Sequence, residues 1–151
     1  MSREGTFAKT KITSSVQAGT LQPDFLTYAL WGQQMLNELT PGHHLMIDGF
    51  PRNTEQAKVL AGALTFFERE KIQIINLETP EEIVRSRMQG RGRADDTEES
   101  INKRLKWYQE ETLPVLEYYR NQEKAEVFDI AGEKTIEEVH EQILSVLNIL
   151  R

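Results

Sequence analysis

The stretch LMIDGFPRNTEQA, residues 45–57, joins an apolar run to an acid, a Gly-Phe-Pro turn, an arginine and the start of a helix. Asp48 is suited to hold Mg²⁺ through water molecules, and Gly49 lets a ligand approach the backbone closely. Pro51 stiffens the turn, and Arg52 offers a planar fork of donors that matches a phosphate. The alternative is an ordinary strand-to-helix connection with an exposed arginine. The combination favours a ligand site over that alternative.

A second segment concentrates arginine in a chain whose net charge is −6. Five arginines fall between residues 85 and 104: Arg85, Arg87, Arg91, Arg93 and Arg104. Arg87 and Arg91 are four residues apart on one helix face, so their charges repel unless an anion or an acid lies between them. One interpretation is a solvated salt-bridge network in which Asp95 and Asp96 supply that acid. The other is a mobile flap, QGRGRADDT (89–97), whose glycines act as hinges while its arginines close over a polyphosphate.

Composition places the chain among soluble globular domains. It has 151 residues, of which 38% are hydrophobic and 28% are charged, enough for one domain with a core. No apolar run reaches the roughly 18 residues that a membrane helix needs, and the first residues lack the layout of a secretion signal. Cysteine is absent, which excludes disulfides and thiolate metal sites within these residues. We expect a cytoplasmic location, and the negative charge argues against a nucleic acid polymer as partner.

Helix and short-strand patterns alternate along the chain. Periodicity predicts helices over residues 6–18, 22–39, 54–69, 80–88, 97–121 and from 136 onward, and strands over 44–48, 71–78 and 125–130. Pro114 is expected to kink the long fifth helix because proline lacks an amide donor. This alternation indicates βαβ units and a parallel sheet covered on both faces. In such sheets ligands bind beyond the carboxyl ends of the strands, where residues 48–52 are predicted to lie.

Helix caps and inward faces follow from the same patterns. Asn53 or Thr54, Thr79 and Thr135 are predicted caps, the last in a capping box. The second helix is expected to bury Phe25, Leu26, Ala29, Leu30 and Leu36. The last helix is expected to bury Ile136, Val139, Ile143, Val146, Leu147 and Leu150.

Several other residues carry no predicted chemistry. The stretch AGTLQPD (18–24) taken alone is a connection. Trp31 and Trp107 are interpreted as core residues rather than as platforms for base stacking. The histidines have no ligand spacing with one another and are interpreted as exposed or packing residues: His43, His44 and His140.

The motifs, in this order, resemble those of adenylate kinases and the wider nucleoside monophosphate kinase family. DGFPRNTEQA (48–57) is similar to the family's monophosphate signature. GRGRADDTEESINKRL (90–105) resembles its lid and arginine helix, and ETLPVLEYY (111–119) resembles the kinked helix that follows. The likeness covers nearly the whole chain.

The resemblance implies roles at matching positions. AMP would be held by Leu21, Gln22, Gly49, Arg52 and Gln56, with Gln56 at the adenine edge. The phosphates of both nucleotides would be clamped by Arg87, Arg91, Arg93 and Arg104. Asp48 would order the waters of an Mg²⁺ that accompanies ATP, with no direct protein–metal bond. Asp95 and Asp96 would organise the lid arginines, and the backbone of Ala131, Gly132 and Lys134 would flank the ATP base. UMP or CMP as the acceptor remains an alternative to AMP.

The resemblance also implies a P-loop NTPase-like, three-layer αβα fold. The expected domain is a single one over 1–151, with AMP-side helices in 1–39 and a short lid at 89–97. The family's first strand, central in the sheet, and its phosphate loop are expected to be missing, because G-x-x-x-x-G-K-[ST] occurs nowhere in the chain. We therefore expect weak or no phosphoryl transfer between ATP and AMP. The alternative is a non-catalytic nucleotide-binding module or a truncated fragment.

The expected gap in the sheet has two possible outcomes. The strands at 44–48 and 71–78 could close up and pair, or unpaired strand edges could remain and favour self-association. Arginines from the two separated motifs are expected to converge on one polyphosphate.

Overall fold

The computed structural model describes residues 5–17, 20–69, 71–93 and 96–148 as helices around a short parallel sheet. The helices are α1 (Phe7–Gln17), α2 (Asp24–Glu38), α3 (Thr54–Phe66), α4 (Glu81–Gly90), α5 (Glu98–Trp107), α6 (Leu113–Arg120) and α7 (Ile136–Val146). The strands are β1 (Ile72–Glu78) and β2 (Ala125–Ala131). These bounds confirm every predicted helix to within a few residues and two of the three predicted strands.

The two strands pair in parallel, with Ile72 opposite Ala125 and Glu78 opposite Ala131. Helices α4, α5 and α6 form the crossover between them, as parallel strands require. This arrangement confirms the predicted βαβ unit. The fold is a mixed one with a short, open, parallel two-stranded sheet, consistent with the predicted fold class.

Helices α3 and α6 pack on one face of the sheet. Ala57, Val115 and Tyr119 are buried there against Ile72 and Ile74. Burial raises the pKa of the Tyr119 hydroxyl to about 12, because the phenolate would lose its hydration. Helix α7 contacts β2, and Ile130 of β2 is also buried.

A second core joins α2 to α3 and to the turn before α3. Met35, Leu60 and Leu64 are buried, and Trp31 and Phe50 pack against them. The Trp31 and Phe50 rings lie 5.6 Å apart between centroids. Because Phe50 belongs to the Gly-Phe-Pro turn, this aromatic contact anchors the turn to α2 and keeps its polar residues at the surface.

The predicted strand at 44–48 is wrong. These residues are irregular and exposed, and Met46 is 93% exposed. Within the described parts of the chain, neither they nor any other segment pairs with the outer edge of β1. A strand is stabilised by hydrogen bonds to its neighbour, so an apolar run without a neighbour stays irregular. Of the two expected outcomes, direct pairing of 44–48 with 71–78 is not found among the described residues.

Some predicted inward positions are also wrong. On α2, four of the predicted residues are exposed: Phe25, Ala29, Leu30 and Leu36. The α2 residues that reach the core are Trp31 and Met35. A short helix rich in apolar residues offers more than one apolar stripe, and only its packing partner selects one. Two further residues predicted to be buried are exposed: Trp107 and, at 83%, Ile136.

Caps and breaks in the helices follow the sequence closely. The Asn53 side chain accepts from the N–H of Gln56, and Thr135 forms the predicted capping box with Glu138. The N-cap of α4 is Pro80 rather than the predicted Thr79, and it makes no side-chain cap bond. A π-helical segment, Tyr108–Thr112, interrupts the predicted long helix, and Pro114 lies in the first turn of α6 that follows it. The kink at Pro114 stays a prediction.

None of the helices in the described ranges is long and apolar enough to cross a membrane.

Candidate functional site

The Arg52 turn, defined as residues 48–52, folds the arginine back onto its own backbone. Gly49 has φ of +72°, a conformation that favours glycine. Arg52 Nε donates to the Gly49 carbonyl oxygen at 2.7 Å, and a Cβ at position 49 would lie 3.3 Å from Arg52 Nη2. Gly49 and Arg52, both predicted to hold AMP, therefore lie together, and the exposed Asp48 is next to them.

Gln56, predicted to lie at the base, is held at both ends of its amide. It is only 4% exposed. The Arg52 N–H donates to Gln56 Oε1 at 2.7 Å, and Gln56 Nε2 donates to Asp24 Oδ1 at 2.7 Å. The sequence analysis did not identify Asp24. Its local signal is only that of an acid in the first turn of a helix, and its partner lies 32 residues away.

Leu21 and Gln22, predicted to flank the same base, are both half-buried just before α2. The Gln22 Nε2 atom is buried and has no hydrogen-bond acceptor in the part of the chain that the structure describes. An unpaired buried amide donor is costly, because it has lost its water without gaining a partner.

The Asp96 cluster, defined as Arg91, Asp96 and Arg104, joins the predicted lid to α5. Arg91 makes a two-pronged contact with Asp96, through Nε at 2.6 Å and Nη2 at 2.8 Å, and Arg104 Nη1 lies 2.9 Å from Asp96 Oδ1. The Asp96 side chain is 2% exposed. Its hydrogen bonds with Arg91, together with the charges of both arginines, lower the pKa of Asp96 from 3.8 to about 2.

Arg87 reaches the loop that follows β2. Its Nη1 donates to the Gly132 carbonyl oxygen at 2.6 Å and its Nη2 to that of Glu133 at 3.2 Å. The Gly132 N–H donates to the Glu78 carbonyl oxygen at 2.7 Å. A side chain at position 132 would collide with Thr79 Oγ1, so glycine is needed for this close approach. The loop predicted to flank the ATP base is thereby fixed to the end of β1.

The remaining predicted site residues are at the surface or outside the described ranges. Arg93 and Lys134 are exposed, and Ala131 is half-buried at the end of β2. Asp95 lies outside the described residues. Arg91 and Arg104, both of the second motif, meet at one carboxylate, whereas Arg52 and Arg87 are bound to separate backbone carbonyls. Convergence of arginines from the two motifs on one polyphosphate stays a prediction.

A contact that the sequence did not predict links the two motifs. Thr112, at the end of the π-helical segment, donates through its hydroxyl to the Arg52 carbonyl oxygen at 3.1 Å. The helical run that carries Arg104 in α5 therefore touches the Arg52 turn directly.

A cavity of about 740 Å³ opens at the carboxyl ends of both strands. Its lining includes Glu78, Thr79 and Ala131, together with Tyr108 and Asp129. Burial raises the pKa of Tyr108, and the negative charges of Glu78 and Asp129 add to that rise. The cavity occupies the position at which parallel sheets bind ligands. Across the described residues, no group of three or more side chains is arranged to hold a metal ion.

Comparison with known proteins adds a family. Residues 1–124 match the family model described as adenylate kinase. The chain is 37% identical to the adenylate kinase of Corynebacterium aurimucosum over 144 residues. The matched region covers 95% of this chain and 77% of that relative. The chain is 38% identical over the same shares to the adenylate kinase of Mycobacterium tuberculosis. The adenylate kinase of Oenococcus oeni is 37% identical over 83% of this chain and 68% of its own length.

Proposed function

The chain belongs to the adenylate kinase family, and on that premise we propose that it binds adenine nucleotides and retains the arginines that serve phosphoryl transfer between ATP and AMP. The observation that carries the proposal is the Asp96 cluster, in which guanidinium groups from two elements meet at one buried carboxylate. A phosphate presents oxygens to a guanidinium in the same paired geometry as a carboxylate. The cluster is therefore preorganised for an anion that competes with Asp96.

The AMP side of the proposed site is the Arg52 turn with Leu21, Gln22 and Gln56. Arg52 is exposed and bonded to a neutral carbonyl, so its positive charge is available to a monophosphate. Gln22 supplies a buried amide donor that has no hydrogen-bond acceptor among the described residues. A ligand that accepts from this donor would recover the hydrogen bond that the ligand-free chain lacks.

The ATP side of the proposed site comprises the lid and the loop after β2. Arg87, Arg93 and the Asp96 cluster would bind the phosphates, with Asp95 assisting the lid, and Ala131, Gly132 and Lys134 would flank the base. Mg²⁺ would arrive with the nucleotide as part of the substrate, and the exposed Asp48 suits a contact through water. Within this proposal, 1–39 supplies the AMP-side helices and 89–97 the lid of a single domain.

We further propose that these 151 residues are weak or inactive in phosphoryl transfer. They contain no G-x-x-x-x-G-K-[ST] sequence. They therefore lack the backbone N–H donors, the lysine and the Mg²⁺-binding hydroxyl that such a phosphate loop supplies. Transfer depends almost entirely on positioning and on cationic stabilisation of the moving phosphoryl group. With AMP and MgATP, turnover is expected to be far below that of an ordinary kinase of this type. Turnover in the ordinary range, about 1–100 s⁻¹, would refute this part of the proposal.

Calorimetric titration with AMP, ADP and a bisubstrate dinucleotide tests nucleotide binding. A catalytically competent chain binds the bisubstrate far more tightly than AMP, whereas a binding module without an ATP half binds the two about equally. The Arg52→Ala variant is expected to weaken AMP about 10- to 100-fold, because it removes a charged donor to the phosphate.

Arg85→Ala is the matched control. Arg85 lies on α4, is ion-paired with Glu81 and donates to Asn102, and neither of these partners is a residue of the proposed AMP side. The same affinity in both variants would count against the assignment of Arg52, and no binding of any of the three nucleotides would remove the proposed function.

Self-association is the proposed consequence of the open sheet. The outer edge of β1 has no strand partner among the residues described, and residues 45–47 expose apolar side chains. Unpaired edges favour addition of another strand. Light scattering across a concentration series is expected to show an average molecular mass that rises with concentration, and a monomer at all concentrations would contradict it.

We also propose a cytoplasmic location and no nucleic acid partner.

A further inference from the structure

The Gln56 amide is clamped between one group that only donates and one that only accepts. The Arg52 N–H faces Gln56 Oε1, and the Asp24 carboxylate faces Gln56 Nε2, each at 2.7 Å. Turning the amide over would set oxygen against the carboxylate and N–H against N–H. Both hydrogen bonds would become repulsive contacts in a buried place, so one orientation is fixed.

Asp24 itself is well supported for this task. It is the first residue of α2, where the helix dipole favours a carboxylate. Its second oxygen, Oδ2, lies 3.5 Å from Asn53 Nδ2 and 3.5 Å from the Tyr28 hydroxyl. Both carboxylate oxygens of Asp24 therefore have partners: Oδ2 has Asn53 and Tyr28, and Oδ1 has the Gln56 amide.

We propose that Asp24 is a specificity-determining positioning residue, which fixes the Gln56 amide so that the site prefers an amino base to an oxo base. This inference rests on the proposed function, in which Gln56 lies at the base. Each amide end keeps one further hydrogen-bonding capacity beyond the clamp: a lone pair on Oε1 and an N–H on Nε2. Since Gln56 is 4% exposed, a base can meet only a narrow edge of this pair.

Adenine presents an amino donor next to a ring-nitrogen acceptor, and the Gln amide is its complement. Hypoxanthine presents the reverse order, an oxo acceptor next to an N–H donor. A freely rotating amide could serve either base by turning over. With the phosphate held at Arg52 and the amide fixed, the oxo base would be mispaired, and AMP is expected to bind about 10- to 100-fold more tightly than IMP.

Titration of AMP and IMP into the unaltered chain, Asp24→Ala and Asp24→Asn tests the inference. In D24A the repulsion from the carboxylate is gone and only the Arg52 N–H still opposes turning of the amide, so the ratio of IMP to AMP dissociation constants should fall by about 3-fold or more. In D24N the Asn oxygen still accepts from Gln56 Nε2, so most of the ratio should return. Glu55→Ala, which removes an exposed acid on the same helix α3, should leave the ratio unchanged.

A merely structural role for Asp24 would weaken both nucleotides together and leave their ratio intact, and that result in folded D24A would overturn the inference. If D24A does not fold, the side-chain NMR signals of Gln56 in the unaltered chain decide. AMP should shift both Nε2 proton signals and IMP should not, whereas equal shifts would overturn the inference. Equal affinity of the unaltered chain for AMP and IMP would contradict this inference alone. If neither nucleotide binds, the proposed function is contradicted as well.

Discussion

The Arg52 turn and the Asp96 cluster both immobilise guanidinium groups, but with partners of different charge. Arg52 is bonded to a neutral backbone carbonyl and keeps its full positive charge. In the cluster, Arg91 and Arg104 both pair with the negatively charged Asp96 carboxylate. An anion can add to the Arg52 turn, whereas at the Asp96 cluster it must compete with an internal acid. The two arginine motifs therefore differ in how they respond to pH and to substitution.

The largest expected effect concerns the packing beneath each region. Ile101 of α5 is 0% exposed and lies three residues before Arg104, and Leu60 of α3 is buried one turn after Gln56. Truncating either one to alanine leaves a cavity, so Ile101→Ala and Leu60→Ala should each lower the free energy of unfolding by about 2–5 kcal/mol. Urea unfolding measures this. Ile136→Ala, at an exposed position, should stay within about 0.5 kcal/mol. A neutral I101A would mean that the Asp96 cluster is not anchored by the core.

The acid response separates the two regions most directly. The folded-state pKa of Asp96 lies near 2, below its ordinary 3.8, so its ionised form stabilises the fold above about pH 4. That stabilisation should be lost as pH falls from about 4 to about 2. Thermal midpoints of the unaltered chain and Asp96→Asn should therefore converge over this window. Arg52→Ala should keep the acid dependence of the unaltered chain, and parallel curves for D96N would contradict the assignment.

A smaller effect is expected at the caps that begin the helix of each region. Asn53 caps α3 and Thr97 caps α5, each through its side chain. Asn53→Ala and Thr97→Ala should each cost about 1 kcal/mol in urea unfolding, because an amide at the helix start loses its acceptor. Asn53→Asp and Thr97→Ser keep an acceptor and should restore most of that loss. A loss in only one region would show that its helix start is held by other contacts.

The smallest effect is expected from glycine substitution. Gly49 in the Arg52 turn has positive φ and its missing Cβ faces Arg52, so Gly49→Ala should cost about 1 kcal/mol. Gly62 lies inside α3 with open space around it, so Gly62→Ala should gain about 0.5–1 kcal/mol instead. Opposite signs in thermal unfolding are the expected result. A stabilised G49A would mean that the turn tolerates a different backbone conformation.

Local signals explain which parts of the fold could be predicted. The start of α3 depends on Asn53 and Gln56, three residues apart, and the capping box of α7 spans the same distance. The sequence of β1 has the apolar pattern of a strand, and β1 pairs with β2. Residues 44–48 are equally apolar, but a strand also needs a neighbour, and no local pattern reports whether one is present. The inward stripe of α2 was mispredicted for the same reason.

The candidate site divides in the same way. The contact between Arg91 and Asp96 spans five residues. One of the two interpretations of the sequence placed Asp95 or Asp96 between Arg87 and Arg91, but Arg87 binds backbone carbonyls instead. The contact between Asp24 and Gln56 spans 32 residues, and that between Thr112 and Arg52 spans 60. Neither contact has a sequence signal of its own, because each depends on how separate elements pack. Whether the predicted residues bind nucleotide stays a prediction until the titrations are done.

The π-helical segment Tyr108–Thr112 sets the angular phase between the two halves of the long helical run. Residues before it carry Arg104 to the Asp96 cluster, and residues after it carry Val115 and Tyr119 to the sheet. One residue advances an α-helix by about 100°. A residue added here without a further wide turn would swing Arg104 away from Asp96 while the sheet contacts stayed in place. Insertions between Trp107 and Leu113 should therefore be tolerated far less well than point substitutions.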